Sequence, residues 1–73
     1  MTSEQMEARL KAQFTDAQVA VLDLTGTSDH FEVRIQSGEL KMLSRIDQHK
    51  KIMGVFADEL KTGEVHALTI RVI

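Results

Sequence analysis

The sequence contains no cysteine, no proline, no tryptophan and no tyrosine. Each absence narrows what the chain can do. Without thiols it cannot be a disulfide scaffold, a thiol enzyme or a closed cysteine-type zinc site. Any iron–sulfur cluster it touches needs thiolates from another chain. Three phenylalanines are the whole Phe, Trp and Tyr complement, which removes the platform on which single-stranded nucleic acids stack. Positive charge is also scarce: nine Lys and Arg stand against eleven Asp and Glu, for a formal net charge of −2. Phosphate-backbone binding normally shows a basic footprint, so nucleic acid is disfavoured as the main partner. A local cluster of Lys50 and Lys51 with Arg45 nearby is the exception. No apolar run approaches the length of a membrane span, and no signal-peptide pattern opens the sequence. The cytoplasm, or an equivalent reducing compartment, is the expected location.

What remains describes one domain of 73 residues, 42% hydrophobic and 27% charged. A chain this short buries only roughly 60% of the surface its unfolded form exposes. It can hold one thin core and no deep cleft, so any chemistry belongs to a surface or an edge. With proline absent, the punctuation falls to Gly26, Gly38, Gly54 and Gly63.

Met6, Leu10 and Phe14 recur at four-residue spacing, which predicts a helix over Thr2 to Phe14 with Thr2 and Gln5 as a capping box. Val19 to Leu24 reads as a strand. Phe31 to Gln36 alternates Phe31, Val33 and Ile35 with Glu32, Arg34 and Gln36, a strand with one buried face. The polar turn between these strands predicts an antiparallel hairpin. Ser44 is a natural N-cap for a second helix with Ile52, Phe56 and Leu60 as its buried stripe, running on to Gly63. Gly54 inside that helix suggests close packing on the sheet. Val65 to Ile73 reads as a third strand, with His66, Leu68, Ile70 and Val72 on one face. The order is α-β-β-α-β. A helix separates the second and third strands and is long enough for a right-handed crossover between parallel strands. The fold class is α/β (α+β): a three-stranded mixed sheet with helices on one face.

Three histidines carry the chemistry on offer. His30 immediately precedes the second strand, and His66 is the second residue of the third. Parallel strands begin at one edge of a sheet, so this topology brings His30 and His66 to one rim. Two neutral imidazoles suit a borderline metal such as iron or zinc. They do not complete a site, which needs roughly three or four ligands. The plain alternative is a pair of ordinary strand-end histidines. His49 precedes Ile52 by one helical turn, which suggests a half-buried residue at the helix–sheet seam rather than a third ligand. No nucleophile constellation appears. Ser28, Asp29 and His30 hold the residue types of a triad, but adjacent residues do not normally orient one another as a triad requires. Asp58 and Glu59 point about 100° apart on a helix, which suggests solvated surface. The expectation is a binding protein and not an enzyme.

Thr27-Ser28-Asp29-His30-Phe31-Glu32-Val33 resembles the hairpin segment of BolA proteins of the histidine-loop subtype. Leu43-Ser44-Arg45 followed by Gln48-His49-Lys50 resembles the approach to the family's main helix. Asp58-Glu59-Leu60 and then Glu64-Val65-His66-Ala67-Leu68-Thr69-Ile70 resembles its most distinctive signature. The resemblance spans nearly all of residues 1–73. Two features depart from it: Leu40-Lys41-Met42-Leu43-Ser44 lacks the glycine of the usual "Phe-x-Gly-x-Ser" approach, and the short helix that often follows the last strand is not expected in a sequence that ends at Ile73.

The resemblance implies a class II KH-like fold and partnership with a monothiol glutaredoxin in assembling, moving or sensing [2Fe–2S] clusters. Glutaredoxin and glutathione would supply sulfur ligands and this chain a histidine. Matched position by position, His66 is the first choice as ligand to the cluster iron and His30 the second. Arg45, His49 and Lys50 are candidates for partner contact. The resemblance also implies an alternative, a DNA-binding transcriptional regulator of stress response and cell morphology. The acidic charge and the lack of a Gly-x-x-Gly loop weigh against that alternative.

Overall fold

In a computed structural model that describes residues 1–73, the expected order of elements holds with two additions. Helix α1 (Ser3–Gln13) begins where the sequence places it. Thr2 Oγ1 accepts from the Gln5 amide, and Gln5 Oε1 accepts from the Thr2 amide, so the capping box closes in both directions. Strand β1 (Gln18–Asp23) pairs antiparallel with β2 (His30–Gln36), from Gln18 opposite Gln36 to Asp23 opposite Phe31. Strand β3 (Ala67–Val72) lies parallel to β2, from His30 opposite Ala67 to Ile35 opposite Val72. The sheet order is β1-β2-β3, so the strand with the clearest alternation is the central one.

That alternation builds the core. Phe31, Val33 and Ile35 of β2 are fully buried against Met6 and Leu10 of α1, Phe14 at its C-cap and Ile52 of α3 (Arg45–Val55). Glu32, Arg34 and Gln36 point the other way, and Arg34 Nε donates to Glu32 Oε2 at 2.7 Å on the open face. Full burial of each large apolar side chain contributes about 1.5–3 kcal/mol, and ten such residues form one continuous core.

The first addition is a short helix, α2 (Gly38–Lys41), between β2 and α3. Its C-cap, Met42, stands where the expected glycine is missing. Leu40 is fully buried there, and Ser37 is the one buried polar residue. Asp16 secures the turn from outside. Ser37 Oγ donates to Asp16 Oδ1 and the Gly38 amide to Asp16 Oδ2, each at 2.8 Å. These bonds hold the Asp16 carboxyl below its ordinary value, the Ser37 hydroxyl contributing most.

The second addition is a break in the long helix. α3 ends at Val55, and α4 (Ala57–Thr62) follows after Phe56 leaves helical geometry at φ −114 and ψ 23. The break turns the Phe56 ring fully into the core. Arg9 of α1 covers the gap: its Nη1 donates to the Val55 carbonyl at 3.3 Å and to Glu59 Oε1 at 2.7 Å, with its guanidinium 5.6 Å from the Phe56 ring centroid. Glu59 is therefore half-buried and paired, and its carboxyl is lowered chiefly by Arg9, which corrects its reading as free surface. Gly54 is corrected as well. It is exposed, and a Cβ built on it meets nothing within 4 Å, so sheet packing does not explain it.

Candidate functional site

The site forms at the rim where β2 and β3 begin. The loop from β1 is held by Asp23, whose Oδ1 accepts from the Gly26 amide at 2.9 Å and whose Oδ2 accepts from the Ser28 amide at 3.1 Å. Gly26 and Ser28 both have positive φ, 73° and 60°. Ser28 is an unfavoured residue for that region, and the Asp23 bonds hold it there. The turned chain presents Asp29 and His30 at the head of β2.

Asp29 ties the two strand starts together. Its carbonyl accepts from the His66 amide at 2.7 Å and from the Ala67 amide at 3.2 Å. Two successive amides on one carbonyl form a bulge-like start, which breaks the alternation just before β3 begins. His66 lies just outside the strand and is exposed, whereas Val65 before it is fully buried. This corrects the expectation that His66 shares a face with Leu68, Ile70 and Val72. His30 in turn is the first residue of β2, not its predecessor.

The rings of His30 and His66 stack, with centroids 5.9 Å apart and planes inclined by 22°. The topology does bring the two imidazoles together. Imidazole lone pairs lie in the ring plane, and stacked planes so nearly parallel do not converge at a nearby point. In this arrangement one ring can take a metal while the other stands beside it; both on one ion requires a ring to rotate.

The Asp29 carboxylate completes the cluster. Its Oδ1 lies 2.8 Å from His30 Nδ1 and also accepts from the Thr27 hydroxyl. The Thr27 bond first, and the His30 bond second, lower the Asp29 carboxyl to about 2, with the charges of His30 and His66 adding to the effect. Adjacent residues do orient one another here, so the Asp–His half of a triad forms. Ser28 takes no part, because its amide and hydroxyl turn to Asp23. No group of three or more His, Cys, Asp or Glu is placed to hold a metal ion.

The other candidates lie elsewhere. Arg45 and His49 line an open groove of about 500 Å³ with Gln48 of α3 and Ile70, Arg71, Val72 and Ile73 of the last strand and its end. His49 is exposed rather than half-buried, because α3 turns that side outward. Lys50 is exposed and outside the groove. Arg71 enters the groove unforeseen, since only the packing of α3 beside β3 brings it to Arg45.

Residues 3–73 match the family model described as BolA-like protein. The chain belongs to the BolA-like family. It is 35% identical over 71 residues to a protein from the rpoN–murA intergenic region of Acinetobacter guillouiae, covering 97% of this chain and 82% of that one. The BolA domain of SufE1 from Arabidopsis thaliana superposes with a TM-score of 0.84 at 26% identity, over 96% of this chain and 87% of that one. A BolA-like hypothetical protein from Rickettsia prowazekii superposes with a TM-score of 0.72 at 29% identity, over 100% and 94%. The BolA-like fold is thus the mixed α+β arrangement described above. No helix in it is long and apolar enough to cross a membrane.

Proposed function

We propose that this BolA-like domain is a binding adaptor with no catalysis of its own. It pairs with a monothiol glutaredoxin and supplies imidazole ligation to a [2Fe–2S] cluster that the two proteins share, with glutaredoxin and glutathione giving the sulfur ligands. The observation that carries this reading is the ring pair, centroids 5.9 Å apart at one rim with His66 exposed, and no set of three side chains placed to hold a metal ion. Such a rim offers part of a coordination sphere and depends on a partner for the rest. Imidazole suits iron, and replacing thiolate with histidine raises a cluster's potential.

His66 takes the first role because it is exposed and lies outside the strand. His30 stands alongside, held by Asp29. The cluster is cargo, received and passed on. The occurrence of a BolA domain within SufE1 of Arabidopsis thaliana supports reading the domain as a module that works beside another protein. A reducing compartment such as the cytoplasm suits this role.

The test is to mix the domain with cluster-loaded monothiol glutaredoxin and follow size and visible absorption. A heterodimer is expected, with a spectrum distinct from that of the glutaredoxin homodimer. His66→Ala should abolish the difference, and an unchanged spectrum removes His66 from the mechanism.

One observation favours a second reading, a DNA-binding regulator. Arg45 and Arg71 line the groove beside α3 with no acidic residue among its lining. Specific duplex binding with a steep salt slope, weakened by Arg71→Ala, would support that reading over the first.

A further inference from the structure

Asp29 reaches both histidines, each through a different group. Its carbonyl accepts the His66 and Ala67 amides at 2.7 and 3.2 Å, and its carboxylate Oδ1 faces His30 Nδ1 at 2.8 Å. An ionised carboxylate only accepts hydrogen bonds. The ring nitrogen facing it must therefore carry the proton, and the other nitrogen, Nε2, keeps the lone pair. The Thr27 hydroxyl donates to the same Oδ1, and Thr25 Oγ1 stands 3.5 Å away, so the carboxylate is itself held in place. The His66 ring has no such anchor; its only close neighbour of this kind is the His30 ring.

We propose that Asp29 is the positioning residue of the rim: its carboxylate fixes His30 as the Nδ1–H tautomer, so that Nε2 is the nitrogen His30 presents to a metal, while its carbonyl sets His66 alongside. A histidine that ligates metal usually donates its other ring N–H to a carboxylate or carbonyl, which sets the tautomer and makes the ring a better ligand. His30 has that support and His66 lacks it. His30 is thus the preorganised ring and His66 the adaptable one, with separate tasks when a partner docks. The metal-facing half of this proposal rests on the adaptor reading above; the orientation of His30 does not.

The test uses the free domain labelled with 15N, without metal or partner. Long-range ring correlations are recorded over a pH series, and the tautomer is read on the alkaline plateau where the ring signals no longer move. The expected pattern for His30 is Nδ1–H, with His49 and His66 as internal references. Asp29→Ala should shift His30 to Nε2–H and leave the His66 and Ala67 amide signals in place, because the carbonyl survives the substitution. A wild-type His30 carrying its proton on Nε2 overturns the proposal, as does a tautomer unmoved by Asp29→Ala. Should the variant fail to fold, the wild-type pattern alone decides. A cluster-loaded complex whose spectrum ignores both His30→Ala and His66→Ala overturns the metal-facing half and the adaptor reading together. The tautomer measurement on the free domain separates that failure from failure of the orientation.

Discussion

Replacing Gly54 with alanine should stabilise this domain. Gly54 is the next-to-last residue of α3, it is exposed, and an added Cβ meets no atom within 4 Å. It also lies outside the positive-φ region where glycine is required. Glycine in a helix interior costs about 0.8–1.0 kcal/mol relative to alanine. Near a helix end the benefit shrinks, so a gain of about 0.5–1 kcal/mol is expected. For a domain of this size that raises Tm by roughly 2–8 °C. Reversible thermal unfolding followed by far-UV circular dichroism measures it, with denaturant titration to show an unchanged m-value.

A second glycine gives the opposite sign from the same experiment. Gly63 caps α4 at φ +85, and a side chain in that left-handed region costs about 1–2 kcal/mol. Gly63→Ala should therefore lower Tm while Gly54→Ala raises it. If Gly54 were packed on the sheet, alanine there would overfill the contact and destabilise by about 1–3 kcal/mol. A falling Tm for Gly54→Ala would thus refute the open placement of α3 over that turn.

Three further perturbations follow from the packing and the charges. Ile35→Ala in the central strand removes a fully buried side chain and should cost about 2–5 kcal/mol, read as a drop in the urea midpoint; a cost below about 1 kcal/mol would contradict the core described. Asp16 has its carboxyl lowered by Ser37 and Gly38, so its contribution is full above the ordinary Asp value and is lost as pH falls through the lowered one. The stability gap between wild type and Asp16→Asn should close on acidification, and a gap independent of pH would remove Asp16 from the turn. Arg9→Ala should return the Glu59 carboxyl upward toward its ordinary value, measured by NMR titration; an unmoved Glu59 would mean the Arg9 bridge across the helix break does not persist in solution.

The parts of the fold that repeat were legible in the sequence. Phe31, Val33 and Ile35 marked a half-buried strand, and the Thr2–Gln5 capping box marked a helix start, because each rests on a local period or spacing. The helix break was not legible. Its cause is long-range: Phe56 leaves the helix to reach the core, and Arg9, remote in sequence, covers the freed Val55 carbonyl. Nothing between Val55 and Ala57 announces a break. The α2 turn escaped for a similar reason, since Asp16, in the turn that follows α1, closes it.

The rim divides in the same way. Parallel strands predicted that His30 and His66 meet, and they do. Strict alternation, however, would have turned His66 toward the core with Leu68, Ile70 and Val72, on the opposite side of the sheet from His30. Rings on opposite faces could not stack. The departure is supplied by backbone: one Asp29 carbonyl takes two successive amides, which frees His66 from the register that Leu68 and its partners obey. Because that register is fixed by half-buried side chains, and a slip of one residue would move every one of them to solvent, the core itself sets where the two rings stand. Substitutions deep in β3 should therefore change stability before they separate the histidines, whereas changes at Asp29 should disturb the rings and leave the core intact.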